Sequence, residues 1–585
     1  MTFSLELVVH STHEAGIKLG GIGAVLDGLL AQPAYNEKVK RTILVGPLNT
    51  ADDLDMTRLF APNNKFRAEY LTWRGENAVP PELARAFNQV ERDYHVYIVY
   101  GKKKFGKYEH EVLLLDPHNA NPASVSETKY FFSEQFGINS FRYESDGEYN
   151  WYLAAAAPSF AALGALVNWQ PGRAALLAHE WLGLPMAFAA LHRQPGAYKM
   201  IFYAHEVATM RPLVEGDRGH DTRFYNVLKR ARQENLYVSD LFGDQTRNYR
   251  HAMLNAAGGF DAFLAVSDLT MSELRFLSPQ FARRPISLVY NGVPAQTLNL
   301  DQRWVSKDHL AAYAQNLLGF RPTWVFSHVP RMVLSKALWR DLRVMEHLDN
   351  MLAARGESAA LFTLSTTIPA GRSADEVWRW EREYGWPVNH RAGNGDLVGL
   401  EIDYYRHIQE FNARARASRI VLSNQFGWSR DRCGGRMPAA MEFMDIRRGA
   451  DLEFGQSIYE PFGIAQLEPL TFGALCCLST ACGCAYAIEK YGGLTLNNIV
   501  LADYITLPYG WSYPNARALL NIGSYERDQI EATESYRAAQ KIMERLPRQG
   551  HDAWTLLQDG YALAEKMSWK VVAEEQLLPA LENLF

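Results

Sequence analysis

The chain is poor in cysteine, with five in 585 residues, all falling between Cys433 and Cys484. That odd number, without a secretory leader at the N-terminus, predicts reduced thiols in a cytoplasmic protein. Cys482-Gly483-Cys484 and the pair Cys476-Cys477 lack the Cys-x2-Cys form of structural zinc sites. Adjacent cysteines in a strand also face opposite ways, so small buried side chains are expected there. Basic runs are short as well. None exceeds Lys102-Lys103-Lys104, which reads as a solvated loop, and a net charge of -5 opposes nucleic-acid binding. Trp151 to Trp169 carries no charge and approaches membrane-span length, but it is largely Ala and Gly with Pro158 inside. A buried core helix is the expectation, and no membrane partner. Internal repeats, low-complexity tracts, a complete Walker loop and a His-Glu-x-x-His metal motif are all missing.

A hydrophobic share of 48% and a charged share of 21% describe a globular chain, and its length calls for two or three domains. Short apolar runs recur: residues 3–10, 40–46, 94–100, 174–179, 199–204, 260–267 and 286–291, each followed by a helical pattern or a loop. A second series begins near Pro322, with runs at 323–329, 359–368, 419–424, 452–457, 474–479 and 498–504. Strands alternating with helices predict an α/β fold with parallel sheets covered on both faces. The expected division is 1–300 and 301–560, with a closing helical segment at 561–585. The charged, Gly-containing stretch 370–416 reads as an insertion.

Parallel sheets bind ligands at the carboxyl ends of their strands. The candidate residues cluster at such ends: Gly20-Gly21, His179, His205, Asn291, Arg331 and Glu460. Lys18-Leu19-Gly20-Gly21-Ile22-Gly23 suits backbone amides approaching a phosphate, or a plain turn. A dinucleotide fingerprint fits it poorly, because Leu26 stands where the third glycine belongs. Arg331 and Lys336 bracket the start of a predicted helix, where two cations imply a bound anion or a surface pair. His179 and His205 suit polarising a hydroxyl or a satisfied place in the core, with His205 the better candidate. Asn291-Gly292 is a turn or a site wall. Glu460 and Glu468 stand eight residues apart around Pro461-Phe462-Gly463, the first in a loop and the second expected on the helix that follows.

Taken together these stretches resemble the glycogen synthase family, and more loosely the starch synthases and other retaining glucosyltransferases. The resemblance rests on Lys18-Leu19-Gly20-Gly21, Leu44-Val45-Gly46-Pro47, His179-Glu180-Trp181-Leu182, Val266-Ser267, Asn291-Gly292, Arg331 through Lys336, and Tyr459-Glu460-Pro461-Phe462-Gly463. It also includes Met567-Ser568-Trp569-Lys570 near the C-terminus. The matches run in family order, and the Leu-Val-Gly-Pro and His-Glu-Trp stretches are closest to the eukaryotic type. The resemblance implies a GT-B fold, two Rossmann-like domains facing each other across a cleft, with the terminal helices crossing back.

It further implies a nucleotide-diphosphate glucose donor, UDP-glucose or ADP-glucose, and an acceptor at the non-reducing end of an α-1,4-glucan or maltooligosaccharide. The alternative is a small glycoside product. By the family's motifs, Arg331 and Lys336 would grip the diphosphate and Glu468 the ribose. Glu460 and the backbone of Phe462-Gly463 would hold the transferred sugar, and His205 would stand by the anomeric carbon. Gly20, Gly21 and Lys18 would lie near the phosphates, and Asn291 would line the sugar pocket. No metal or other cofactor is expected, and homo-oligomers are compatible with the family. The chain departs from the family after Asp503, where the arginine-dense regulatory helix is missing; at Glu206-Val207, where a small residue is usual; and across 370–450, where the acceptor surface is left undefined.

Overall fold

The computed structural model describes residues 4–167, 173–368 and 370–585. The chain forms two compact units. One comprises Met1–Met210, Asn235–Gly292 and Trp569–Phe585, and the other Arg211–Glu234 and Val293–Ser568. Each is described by itself.

The first unit carries β1 (Leu7–Ser11), β2 (Thr42–Pro47), β3 (Phe66–Leu71), β4 (Tyr97–Phe105), β5 (Tyr108–Asp116), β6 (Ala174–His179), β7 (Lys199–Ala204), β8 (Ala262–Ala265) and β9 (Ile286–Leu288). They form one nine-stranded sheet in the order β3-β4-β5-β2-β1-β6-β7-β8-β9. From β5 to β9 every pairing is parallel, while β4 runs antiparallel to β3 and β5. The parallel strands β1, β6 and β7 are almost continuously buried, as strands covered on both faces must be. Their apolar runs made β6 and β7 legible to the residue. The antiparallel edge was missed for β3 and β5, because charged residues interrupt both runs: Arg67 and Glu69 in β3, and Glu109 and Glu111 in β5.

The helix Gly147–Leu166 buries Leu153, Ala155 to Phe160, Ala162 and Leu163, including Pro158. This is the expected core helix; Asn168 and Trp169, its expected end, lie outside the described residues. Among the described residues no helix is long and apolar enough to cross a membrane. The closing segment expected at 561–585 is helical but not one continuous helix. It breaks after Gly550–Lys566, and Trp569–Phe585 groups with the first unit. The Trp569 ring lies against Gly28 and Gly292, and a Cβ at either would overlap it. Glycine is required at both positions by that close approach, not by a turn.

The second unit carries β10 (Trp324–His328), β11 (Ala359–Leu364), β12 (Ser418–Ser423), β13 (Leu452–Gly455), β14 (Leu475–Ser479) and β15 (Ile499–Ala502). All pairings are parallel, in the order β12-β11-β10-β13-β14-β15. That is the doubly wound order, whose direction reverses between β10 and β13. In the first sheet the corresponding reversal lies between β1 and β6.

Two expectations need correction here. The insertion at 370–416 is shorter, because Leu400–Arg414 is the ordinary crossover helix between β11 and β12. The added piece is the helix Ala374–Tyr384 with its own small core of Val377, Trp380 and Trp386, tied in by a buried Arg372–Glu401 pair at 2.7 Å. The division at 1–300 also differs from the units found, since residues 211–234 group with the second unit. The helix His220–Glu234 is held there by hydrogen bonds from Thr222 to the Tyr504 carbonyl and from Asn226 to that of Ile505.

Candidate functional site

In the second unit the site grows from the switch between β10 and β13. After β10 the chain runs through Arg331 to a single helical turn, Leu334–Lys336. Ala337 then takes a positive φ of 49° before the helix Leu338–Arg355 begins. Lys336 therefore ends a turn rather than starting a helix, and its ammonium contacts the Glu460 carboxylate. The two side chains stand 124 residues apart in the chain and are both mostly buried. The loops are pinned together by main chain: the Ile458 amide donates to the Ser335 carbonyl at 2.8 Å. On the other side the Glu460 carbonyl accepts from Gly483 at 2.9 Å and the Phe462 carbonyl from Cys484 at 2.8 Å. The Phe462 side chain is buried in the unit. Gly463 adopts φ 103°, and a Cβ there would overlap Gln466.

Arg331 is exposed and joins no ion pair among the described residues. Glu468 is not on an α-helix; it opens a single turn of 3-10 helix, Glu468–Phe472. Arg447, buried, forms ion pairs with Glu468 at 2.7 Å and with Glu453 at 3.2 Å. Glu453 in turn accepts the Val329 amide at 3.0 Å at the end of β10. The helix Cys484–Lys490 starts beside this loop, with its first amides taken by the Glu460 and Phe462 carbonyls, and side-chain cations add positive charge at the edge. Two of them were missed by sequence. Arg447 belongs to no motif. Arg211 donates to the Ser335 hydroxyl at 3.0 Å and lies 5.0 Å from the Tyr459 ring centre. The buried thiols at this edge are inert: burial pushes Cys482 up to about 12, and its sulfur lies 3.3 Å from the Gly455 carbonyl.

In the first unit the loop after β1 gives an unexpected result. Glu14, buried, accepts the amides of Leu19 at 2.7 Å and Gly20 at 2.6 Å. A carboxylate of the chain itself holds amides expected to face a phosphate. Gly21 opens the helix Gly21–Leu30 with empty space where a Cβ would stand, and Lys18 pairs at the surface with Asp27 at 3.0 Å.

Where β6 and β7 end, His179 and His205 lie 2.8 Å apart and nearly parallel. Burial holds His205 down to about 3, helped by neighbouring His13 and His10, so its ring is neutral. Glu180, also buried, takes a positive φ of 61°. One of its oxygens accepts the Glu206 amide at 2.5 Å and the other has no hydrogen-bond partner among the described residues. Burial first, and then Glu206, raise its carboxyl well above the usual range, which favours the protonated form. His13 Nδ1, Glu180 Oε2 and His205 Nδ1 are all buried without hydrogen-bond partners among the described residues, as is Asn291 Oδ1 beyond β9. Buried polar atoms are rarely left so, and a set of them at strand ends marks a place built for a polar ligand.

A stability consequence follows for Glu180. Its folded pKa lies above the ordinary value of about 4.3, so the stability it contributes is complete below that pH and is lost as pH rises through the folded value. Glu180→Gln, a copy of the protonated form, should therefore gain melting temperature relative to the wild type as pH is raised from about 4 to 8. Parallel melting curves across that range would contradict a protonated Glu180.

Among the described residues no group of three or more His, Cys, Asp or Glu is arranged to hold a metal ion. No protein-family model matches the chain and no curated protein matches its sequence. Solved structures do match in chain course. An α,α-trehalose-phosphate synthase (UDP-forming) from Burkholderia vietnamiensis is 13% identical, with 99% of this chain and 100% of that one covered and a TM-score of 0.48. The synthase from Burkholderia xenovorans in complex with glucose-6-phosphate is 11% identical, covering 98% and 100%, with a TM-score of 0.49. The catalytic domain of starch synthase IV from Arabidopsis thaliana, bound to ADP and acarbose, is 12% identical, covering 96% and 100%, with a TM-score of 0.46. Likeness at this level concerns the fold alone. The assignment to an α/β class with two parallel-sheet units rests on the strand orders themselves.

Proposed function

We propose that the chain is a retaining glucosyltransferase, moving glucose from a nucleotide-diphosphate glucose to the hydroxyl at the non-reducing end of an α-glucan. The observation that carries this reading is the Lys336–Glu460 contact at the switch point of the second sheet, with exposed Arg331 on the same loop. A diphosphate asks for cations and a sugar asks for a hydrogen-bond acceptor, and this edge offers both. In the reaction, the bond from the anomeric carbon to the phosphate oxygen breaks. Negative charge grows on the leaving diphosphate, where Lys336 and Arg331 stabilise it, while Glu460 and the backbone at Phe462-Gly463 hold the sugar hydroxyls. Glu468, oriented by Arg447, takes the ribose hydroxyls. The acceptor hydroxyl attacks from the leaving group's own face and passes its proton to the departing phosphate oxygen. Configuration is thereby retained without a protein nucleophile.

Within the first unit, His205, Glu180 and Asn291 carry buried polar atoms without partners among the described residues, chemistry that suits sugar hydroxyls.

The test is direct. Purified protein is incubated with maltooligosaccharide and either UDP-glucose or ADP-glucose, with and without a chelator, and released nucleotide and chain length are measured. Chain extension with one donor, unchanged by the chelator, is the expected result. Transfer to a small sugar or sugar phosphate without extension would move the reading to a disaccharide-forming enzyme.

A further inference from the structure

Behind His205 runs a line of hydrogen bonds through the interior of the first unit. The Tyr35 hydroxyl lies 3.0 Å from the Thr42 hydroxyl and 3.1 Å from His10 Nε2. His10 Nδ1 lies 2.8 Å from His179 Nε2, and His179 Nδ1 lies 2.8 Å from His205 Nε2. Tyr35, Thr42, His10 and His179 are all buried. The line ends at His205 Nδ1, which is buried and has no hydrogen-bond partner among the described residues.

Each contact in this line takes one hydrogen, and each neutral imidazole brings one. Burial keeps all three rings neutral: His10 and His205 fall to about 3, and His179 lies well below the ordinary value. Only two arrangements then satisfy every contact. In the first, the phenol donates to His10, His10 to His179, and His179 to His205, so His205 carries its proton on Nδ1 and offers a donor. In the second every bond is reversed, the phenol donates to Thr42, and His205 Nδ1 offers a lone pair. The rings cannot choose separately, because one reversed member would set two protons or two lone pairs against each other. The phenol biases the choice. It is a stronger acid than a neutral imidazole N–H, so O–H to ring nitrogen is the better bond.

We propose that Tyr35, His10 and His179 are positioning residues that fix the tautomer of His205, presenting its Nδ1 as a hydrogen-bond donor to the substrate. The identity of that substrate rests on the transferase reading; the tautomer does not. The ring nitrogen that a histidine presents is set by the bond its other nitrogen makes, and here that dependence extends through two further rings.

The full-length protein, labelled with 15N-histidine, gives the tautomer directly from the nitrogen shifts of His205, with its resonances assigned by their loss in His205→Asn. The wild type should show Nδ1 protonated. His10→Leu cuts the line and should give a mixture of tautomers, with kcat lowered by about 10–100-fold rather than KM raised, the usual scale for loss of an orienting partner. His10→Gln should restore both, because its amide accepts from the phenol and donates to His179. Tyr35→Phe serves if His10→Leu does not fold. Without the phenol each arrangement leaves one buried N–H and one buried lone pair unsatisfied, so the two become nearly equal and His205 should again be mixed. A wild-type His205 protonated on Nε2, or one tautomer unchanged in His10→Leu and Tyr35→Phe, would overturn the proposal. Inactivity toward every donor, with the tautomer pattern as expected, would support the relay and remove only the transferase reading.

Discussion

Lys336→Ala is expected to lower kcat by about 10²–10³, the range for losing one preorganised charge stabiliser, with a smaller effect on the donor KM. The argument is one of timing. A diphosphate leaving group gains negative charge only as its bond to sugar breaks, so a fixed ammonium favours the transition state over the bound donor. Lys336 is fixed on both sides: its turn is hooked to the loop after β13 through the Ser335 carbonyl, and its charge meets Glu460. Arg331→Ala should fall in the same range and is the cleaner measurement, since Arg331 is exposed and its loss leaves the fold intact. Steady-state kinetics with saturating acceptor separate the two constants. Near-normal turnover in either variant would remove the assignment of these cations to the diphosphate, and a raised KM with unchanged kcat would mean they bind ground and transition states alike.

Arg340→Ala should destabilise the second unit by about 3–5 kcal/mol, the cost of leaving buried charges unpaired. Arg340 is fully buried. Its guanidinium donates to Asp221 at 2.8 and 2.9 Å, to Glu531 at 2.8 Å and to the Gln456 carbonyl at 3.2 Å, and it lies 3.9 Å from the Tyr504 ring centre. Burial alone would make it easier to deprotonate, but the two carboxylates outweigh that and hold it charged. One side chain therefore ties together the helices His220–Glu234, Leu338–Arg355 and Ser524–Arg545 with the loop that leads from β13 to Glu460. Removing it strands two carboxylates without solvent. Removing all three charges together, as Arg340→Met with Asp221→Leu and Glu531→Leu, should recover much of the loss. Urea unfolding followed by tryptophan fluorescence measures both. A single-variant loss below about 1 kcal/mol would mean that water reaches the network.

Much of the scaffold could be read from the residues. The runs 174–179 and 199–204 coincide with β6 and β7, because a strand covered on both faces needs an unbroken apolar run and the run stops where the edge meets polar loops. For the same reason the candidate residues could be placed at strand ends before any coordinates. The helix expected at Glu468 failed. Pro461, Gly463 and the following residues carry the local signals of a helix start, but Arg447 and Gln466 hold this stretch in a looser course. Glu14 was passed over inside a glycine-rich loop whose amides it holds.

Local pattern thus settled the α/β class, the two series of strands and the strand ends at which chemistry gathers, since each depends on periodicity over a few residues. Which side chains meet there was decided only by the packed chain. Parallel strands are joined by long crossovers, so neighbours at a sheet edge come from distant sequence: Lys336 from 124 residues before Glu460, His10 from 169 before His179, Arg340 from 191 before Glu531. Burial, which sets the charge of Glu180 and the neutrality of the histidines, is likewise a property of the whole packed unit. No short window of residues contains it, because desolvation is imposed by neighbours that only folding supplies.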